Sequence, residues 1–211
     1  MPLPFAQYLD FANHRANATP ADIETLCQSV IAHGFHAAFV NACYITLAKS
    51  KNVRVGTVVS FPLGQDTVAA KMAAVNEAVQ LGVDELDVVP NIGSFTLGEL
   101  QEIVDSARMP GRPVIVKFIL DPGYLTAEEL AQRAKLIQQS GADFVKIGSG
   151  MGPRNPTLDD VRIVREAVPN MKIKVAGGVT TYAVAKSFID AGVTRIGTSH
   201  AVEIITQAPT V

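Results

Sequence analysis

The stretch "QSGADFVKIG" (139–148) reads as a helix end, a breaking glycine and a short apolar strand that carries one lysine. The same layout returns in "AHGFHAAFVN" (32–41), "QLGVDELDVV" (80–89) and "DAGVTRIGTS" (190–199). Each follows a helix-like segment, breaks at Gly34, Gly82, Gly141 or Gly192, and enters a short apolar run. A glycine just past a helix end adopts the left-handed conformation at little steric cost. Helix, glycine, strand, repeated, is the pattern of βα units that build a parallel sheet.

Outward from these repeats, strands are expected near 8–13, 36–41, 53–60, 83–89, 113–120, 143–148, 172–176 and 194–198. Helices fall between them. The segment 126–141 opens with Thr126 and Glu129 at capping-box spacing and keeps a helical apolar period, and 157–168 does much the same. Eight strands alternating with helices predict an α/β fold, a (β/α)8 TIM barrel. An open doubly wound sheet is the second reading and would move the site to a switch point. No linker or low-complexity segment interrupts the pattern, so residues 1–211 are assigned to a single TIM-barrel domain.

Composition narrows the function. The chain is 48% hydrophobic with a net charge of −2, enough for one large core and without a basic or acidic block. No nucleic-acid footprint is expected. No run approaches the roughly 18–20 apolar residues that span a bilayer, and the start lacks a secretory pattern, so no membrane partner is expected. Two cysteines, Cys27 and Cys43, give no disulfide framework and suit a reducing cytoplasm. His33 and His36 straddle Gly34 at a helix end, a poor arrangement for ligands, and a metal-free mechanism is expected.

In such barrels the chemistry lies at the C-terminal ends of the strands. Five residues after each breaking glycine stand Phe39, Asp87, Lys146 and Gly197, so Asp87 and Lys146 occupy equivalent positions on two strands. Lys174 falls on the strand between the last two repeats. One carboxylate and two lysines therefore converge on one mouth. A lysine amine attacks a carbonyl only when neutral, so its pKa must fall from about 10.4. Burial of Lys146 and a cation at Lys174 would both lower it, and Asp87 could handle a proton directly or through water. Glu85 and Lys117, two residues below their strand ends, read as a structural ion pair inside the barrel. Lys172 reads as solvent-facing. Cys43 and Tyr44 read as a close-packed wall at the end of the second strand. The glycine-rich stretches 148–152, 175–179 and 195–200 suggest a phosphate site built from backbone N–H groups and a helix N-terminus.

The motifs "VDELDVVPNIG", "GADFVKIGSG", "IKVAGGV" and "RIGTS", in that order, resemble deoxyribose-phosphate aldolase, a class I aldolase on a TIM barrel. The likeness runs from about Tyr8 to Ile205 and includes "GFHAAFVNACYITLA" (34–48), "GTVVSFPLGQDT" (56–67) and "VKFILDPGYLT" (116–126). The resemblance implies a Schiff-base lysine at Lys146, a second lysine at Lys174 and a proton-relay aspartate at Asp87. It implies cleavage of 2-deoxyribose 5-phosphate to acetaldehyde and glyceraldehyde 3-phosphate with no cofactor. Asp10, Gly148, Ser149, Gly150, Gly177, Gly178, Gly197, Ser199 and His200 form the implied substrate- and phosphate-binding set. Barrels of this kind often pair through exposed apolar helix faces, so a homo-oligomer, a dimer, is expected. This chain departs from the family at Phe11 and Ala12 after Asp10, at Ile147-Gly148-Ser149-Gly150 after the lysine, at Asp121-Pro122-Gly123, and at His200 after Ser199. Its tail, "EIITQAPTV", lacks the tyrosine some members use. These changes surround the substrate and leave both lysines and Asp87 in place. A related lysine-dependent aldolase with another acceptor aldehyde, and a non-catalytic sugar-phosphate-binding barrel, are the alternatives.

Overall fold

In the computed structural model, which describes residues 4–109 and 112–209, eight parallel strands close into a barrel. The barrel strands are β1 (Leu9–Asn13), β2 (Ala37–Val40), β3 (Val55–Val59), β4 (Glu85–Val88), β5 (Ile115–Leu120), β6 (Phe144–Ile147), β7 (Lys172–Ala176) and β8 (Arg195–Thr198). Each pairs in parallel with its neighbours in sequence, and β8 pairs with β1 to complete the ring. Closure excludes the open doubly wound sheet. The ring also fixes which ends of the strands share one mouth. A two-residue antiparallel ribbon, Arg108–Met109 against Arg112–Pro113, lies outside it. The readings of the extreme start and of the last two tail residues fall outside the described residues.

Eight helices alternate with the strands: α1 (Pro20–His33), α2 (Ile45–Lys49), α3 (Val68–Gln80), α4 (Leu97–Ala107), α5 (Ala127–Gln139), α6 (Leu158–Ala167), α7 (Tyr182–Asp190) and α8 (Ala201–Thr206). Threonine opens most of them. Thr126 with Glu129 and Thr157 with Asp160 form capping boxes, and Thr19 with Asp22 forms a third. Each such cap contributes about 1 kcal/mol. The four repeat glycines follow α1, α3, α5 and α7 with φ of 65°, 93°, 81° and 88°, the left-handed region in which a Cβ is strained.

Alternation along the strands divides the interior into two regions. Val145 and Ile147 on β6 join the large apolar shell between sheet and helices, with Ile137, Val161 and Val164. Phe39, Ile119 and Phe144 are buried apart from that shell, inside the barrel, alongside Glu85, Asp87, Lys117, Lys146 and Lys174. Burying an aliphatic or aromatic side chain stabilises by about 1.5–3 kcal/mol, so the shell supplies the stability and the barrel interior is where charge is held.

A second buried ion pair lies outside the barrel. Lys71 on α3 donates to Glu99 Oε1 on α4 at 2.5 Å and to the Gly64 carbonyl at 2.7 Å. Both side chains are almost fully covered, and the pair ties the loop after β3 to the loop after β4.

Candidate active site

Register places the charged residues. Asp87 on β4 is the lateral partner of Lys117 on β5, and Lys146 on β6 is the lateral partner of Lys174 on β7. Side chains of lateral partners leave a parallel sheet on the same face, so all four enter the barrel.

The three predicted catalytic side chains meet. Lys146 Nζ donates to Asp87 Oδ2 at 2.8 Å, and Lys174 Nζ lies 2.8 Å from the same oxygen. Lys117 Nζ takes the other oxygen, Asp87 Oδ1, at 3.0 Å and reaches Glu85 Oε2 at 2.5 Å. The Glu85–Lys117 pair expected from sequence is thus present and extends onto Asp87. Glu85 also accepts from Arg54 Nε at 2.6 Å and faces His36 Nε2 at 2.7 Å.

Phe39 forms the platform under the lysines. Lys174 Nζ lies 3.5 Å from its ring centroid and Lys117 Nζ 4.9 Å, both in cation–π range. Gly56 is the lateral partner of Phe39, and a Cβ there would lie 2.2 Å from the ring. Glycine at 56 is what lets the ring lie flat inside the barrel.

These contacts set the protonation states. Burial pushes the Lys146 amine below the ordinary lysine value; Asp87 pulls it back up, while Lys174 and Lys117 add to the lowering. Burial alone would raise Asp87, but Lys117, Lys146 and Lys174 hold its carboxyl well below the usual carboxylate range. The opposite outcome at Asp10 has a visible cause. Burial raises its pKa, with the negative charge of Glu85 adding to the rise and Lys174 opposing it. Lys174 Nζ lies 2.6 Å from Asp10 Oδ2, yet off the hydrogen-bonding direction, so neither oxygen of Asp10 receives an aligned donor.

Above this cluster opens a cavity of about 890 Å³ at the C-terminal ends of the strands. Lys146, Lys174 and Asp87 reach it from below, and Ser149, Gly150, Gly177, Gly178, Gly197, Ser199 and His200 line it, as expected. Phe11 lines it too, edge-on to Phe35 with centroids 5.8 Å apart, which makes one wall apolar.

Two members of the implied substrate-binding set lie elsewhere. Asp10 sits beneath the cavity, fully buried, as a neighbour of Lys174. Gly148 is packed away from the opening, where a Cβ would lie 2.3 Å from the Ala176 carbonyl oxygen. Its glycine serves a close backbone approach. Gly197 has a double part. It separates β7 from β1, and a Cβ there would lie 3.0 Å from Lys174 Cε. The missing side chain opens the path along which Lys174 reaches Asp10.

Cys43 corrects the expected close-packed wall. It is exposed on a short 3-10 turn, Ala42–Tyr44, because the chain leaves β2 outward over the sheet. Tyr44 does pack, donating its hydroxyl to the Ala18 carbonyl at 2.5 Å. Lys172 is exposed, as read.

Sequence reasoning missed three features of the site. His14, just past β1, lines the cavity; its Nδ1 pairs with Asn41 Oδ1 at 3.3 Å. Burial, with Lys146 as the next cause, pushes its imidazole down to about 4, so it is neutral. Its position directly beyond a strand's C-terminal end is the one signal that could have flagged it. Phe61 also lines the cavity, following Ser60, whose φ of 56° is rare for a residue with a side chain. Asp121 is buried and accepts the Ser149 N–H at 2.8 Å, so the first residue of the departed Asp121-Pro122-Gly123 segment anchors the loop after Lys146.

Spacing alone could not show that Asp10, His36 and Glu85 converge, with donor atoms within 4.8 Å of one another. Their oxygens already face Arg54, Lys117, His36 and Lys174 at 2.5–2.7 Å, so side chains of the protein fill the place a metal would take.

Known proteins share this fold. The model of the DeoC/LacD family aldolase matches residues 6–199. Deoxyribose-phosphate aldolase from Thermococcus kodakarensis is 39% identical, covering 97% of this chain and 96% of the relative. The enzyme of that name from Thermoanaerobacter sp. (strain X514) is 38% identical, covering 96% of each. Of solved structures, QR15, an aldolase, superposes with a TM-score of 0.91 at 32% identity, covering 97% of this chain and 96% of its own. The tetrameric deoxyribose phosphate aldolase from Aeropyrum pernix gives a TM-score of 0.90 at 28% identity, covering 96% and 89%. Matched along nearly its whole length, the chain belongs to the DeoC/LacD family of aldolases.

Proposed function

We propose that the protein cleaves 2-deoxy-D-ribose 5-phosphate to acetaldehyde and D-glyceraldehyde 3-phosphate through an imine on Lys146. The observation that carries this reading is the junction of Lys146 and Lys174 on one oxygen of Asp87, inside a barrel and open to a cavity. Lys146 is the nucleophile: burial favours its neutral form, which attacks the carbonyl carbon. Lys174 supplies the neighbouring positive charge. Asp87 Oδ2, touching both amines, passes the proton that Lys146 must lose on attack and regain on release. The β-hydroxyl then gives its proton to Asp87, directly or through water, and becomes the aldehyde carbonyl as the bond between the α- and β-carbons breaks. The electron pair of that bond forms the enamine and neutralises the iminium nitrogen, the enamine takes a proton at its α-carbon, and water releases acetaldehyde from Lys146.

The phosphate would lie against Gly177, Gly178, Ser199 and His200, which line one part of the cavity. Ser199 Oγ and His200 Nδ1 lie 3.1 Å apart, so the two side chains present one polar edge. A second reading keeps the imine and changes the acceptor: the Phe11 ring gives the cavity an apolar wall that suits a less hydroxylated aldehyde. Self-association is proposed as well, through exposed Ile31, Leu63 and Leu81. A cytoplasmic location agrees with two free thiols and with the lack, among the described residues, of a helix long and apolar enough to cross a membrane.

The test is borohydride trapping with acetaldehyde and peptide mass spectrometry, with cleavage of 2-deoxyribose 5-phosphate assayed in parallel. An adduct on Lys146 with cleavage supports the proposal. An adduct without cleavage moves it to the second reading, and no adduct on a folded sample ends it.

A further inference from the structure

We propose that Phe39 is a positioning residue that decides which of two similarly placed amines becomes the nucleophile: its ring keeps Lys174 as the charged partner and leaves Lys146 to react. This rests on the aldolase reading above and deepens it at the same site.

Asp87 does not make the choice. Each amine lies 2.8 Å from the same oxygen, Oδ2, and both side chains are almost fully buried. Both also border the cavity, so each has a path to a carbonyl carbon. Another group must favour charge on one amine and loss of a proton from the other. Asp10 stands 2.6 Å from Lys174, but neither of its oxygens receives an aligned donor and burial pushes the carboxyl towards its neutral form. A carboxyl in that state is a weak anchor for a cation.

Phe39 supplies the difference. Lys174 Nζ lies 3.5 Å from its ring centroid. An atom that close stands over the face, because the ring's own edge excludes it in the plane, and the face is the negative side of the ring quadrupole. Among the described residues the Lys146 amine stands over one ring, Phe61, at 6.0 Å, the outer limit of that attraction. Lys117, the amine on the other oxygen of Asp87, lies 4.9 Å from the Phe39 centroid. The ring thus sides with two of the three amines around Asp87, and Lys146 is the one left out. The lowered basicity of Lys146 agrees with this arrangement.

Phe39 is itself held in place. Its lateral partner is Gly56, where a Cβ would meet Cζ, Cε1 and Cε2 at 2.2, 2.4 and 2.6 Å. Three ring atoms at such similar distances mean that the ring lies with a face on that glycine, and a side chain at 56 would expel it. Phe39 is 1% exposed, so water does not compete for the amine over its ring. Desolvation of this kind is what makes a cation–π contact strong.

The test keeps the shape of the ring and weakens its negative face. Difluoro- and trifluorophenylalanine are placed at position 39, and Phe39→Leu removes the face altogether. Each protein is treated with acetaldehyde and borohydride, the adduct is assigned to Lys146 or Lys174 by peptide mass spectrometry, and the melting temperature is measured alongside. In wild type the adduct is expected on Lys146. Along the fluorinated series the ratio of Lys174 to Lys146 adduct is expected to rise in steps. At the trifluoro ring the rise should reach about tenfold to thirtyfold, the size of a desolvated cation–π contact, at an unchanged melting temperature. Phe39→Leu is expected to go at least as far. A packing role alone would lower the melting temperature of Phe39→Leu and leave the fluorinated proteins like wild type. A constant ratio along the fluorinated series therefore overturns the proposal, whatever Phe39→Leu does, and so does a wild type that shares the adduct equally between the two lysines. A folded wild type with no adduct on Lys146 ends the aldolase reading itself, which a constant ratio with Lys146 labelled does not.

Discussion

Lys146 and Lys174 meet on a single oxygen: each Nζ lies 2.8 Å from Oδ2 of Asp87. Two amines sharing one acceptor cannot both be charged without repulsion, so the shared oxygen ties the protonation of one to the other.

Removing the second amine should therefore appear in the pH profile. In the proposed mechanism Lys146 reacts above its own pKa, and Lys174 lowers that value. In Lys174→Leu the value rises, and the acidic limb of kcat/KM moves to higher pH. Each unit of movement costs about tenfold in rate below it. A limb that stays in place would show that Lys174 does not tune Lys146.

Two buried aspartates should respond in opposite directions to neutralisation. Asp87→Asn removes the carboxylate that three amines share, leaves Lys146 without its ion-pair partner, and should cost about 3–5 kcal/mol in denaturant unfolding. Asp10 lacks an aligned donor and has a raised pKa, so its ionised form is a burden at neutral pH. Asp10→Asn is expected to match or exceed wild-type stability, because Lys174 keeps Asp87. Equal losses in the two variants would refute the distinction.

The Glu85–Lys117 pair should be felt most at neutral pH. Despite burial, Lys117 and its neighbours hold Glu85 below its ordinary value of 4.5. A group depressed on folding stabilises above its unfolded pKa and loses that contribution as pH falls through the folded one. Glu85→Gln should thus be less stable than wild type at neutral pH, with the gap closing in acid well below about pH 4.5. Guanidinium midpoints across that window check the sign.

Gly197→Ala should separate activity from stability. The new Cβ would lie 3.0 Å from Lys174 Cε, the flexible end of a side chain, and 3.2 Å from Ala176 Cβ, so a shift of a few tenths of an ångström at the strand pair accompanies a displaced lysine. A fall in turnover of about tenfold is expected with a melting temperature within a few degrees of wild type, the reverse of an overpacked rigid core.

Lys71→Met should do the converse. It leaves Glu99 buried without its charge partner and should cost about 3–5 kcal/mol. The pH at which Lys146 traps acetaldehyde should not move.

The fold was legible because parallel strands covered on both faces are short apolar runs, and the repeat glycines mark each strand's entry. Counting from those glycines placed Asp87 and Lys146 in one layer without any contact information. What stayed hidden depends on cross-strand geometry. Lys174 reaches Asp10 across Gly197, an arrangement that only the β7–β8–β1 register reveals. Lys71 and Glu99 pair only because α3 and α4 pack together. His14 lay in a loop with no periodicity to distinguish it. Gly148 was misread because a glycine beside a reactive lysine looks like ligand space, whereas here it admits the Ala176 backbone.

Asp87, Lys146 and Lys174 all sit on strands, pinned by hydrogen-bonded neighbours on both sides. His14, Phe61, Ser149 and His200 all sit on the connections beyond strand ends. Inheritance acts on the two groups differently: a connecting segment can drift through many substitutions while the amines keep their places. A lineage built this way can exchange one aldehyde for another without reinventing its covalent step.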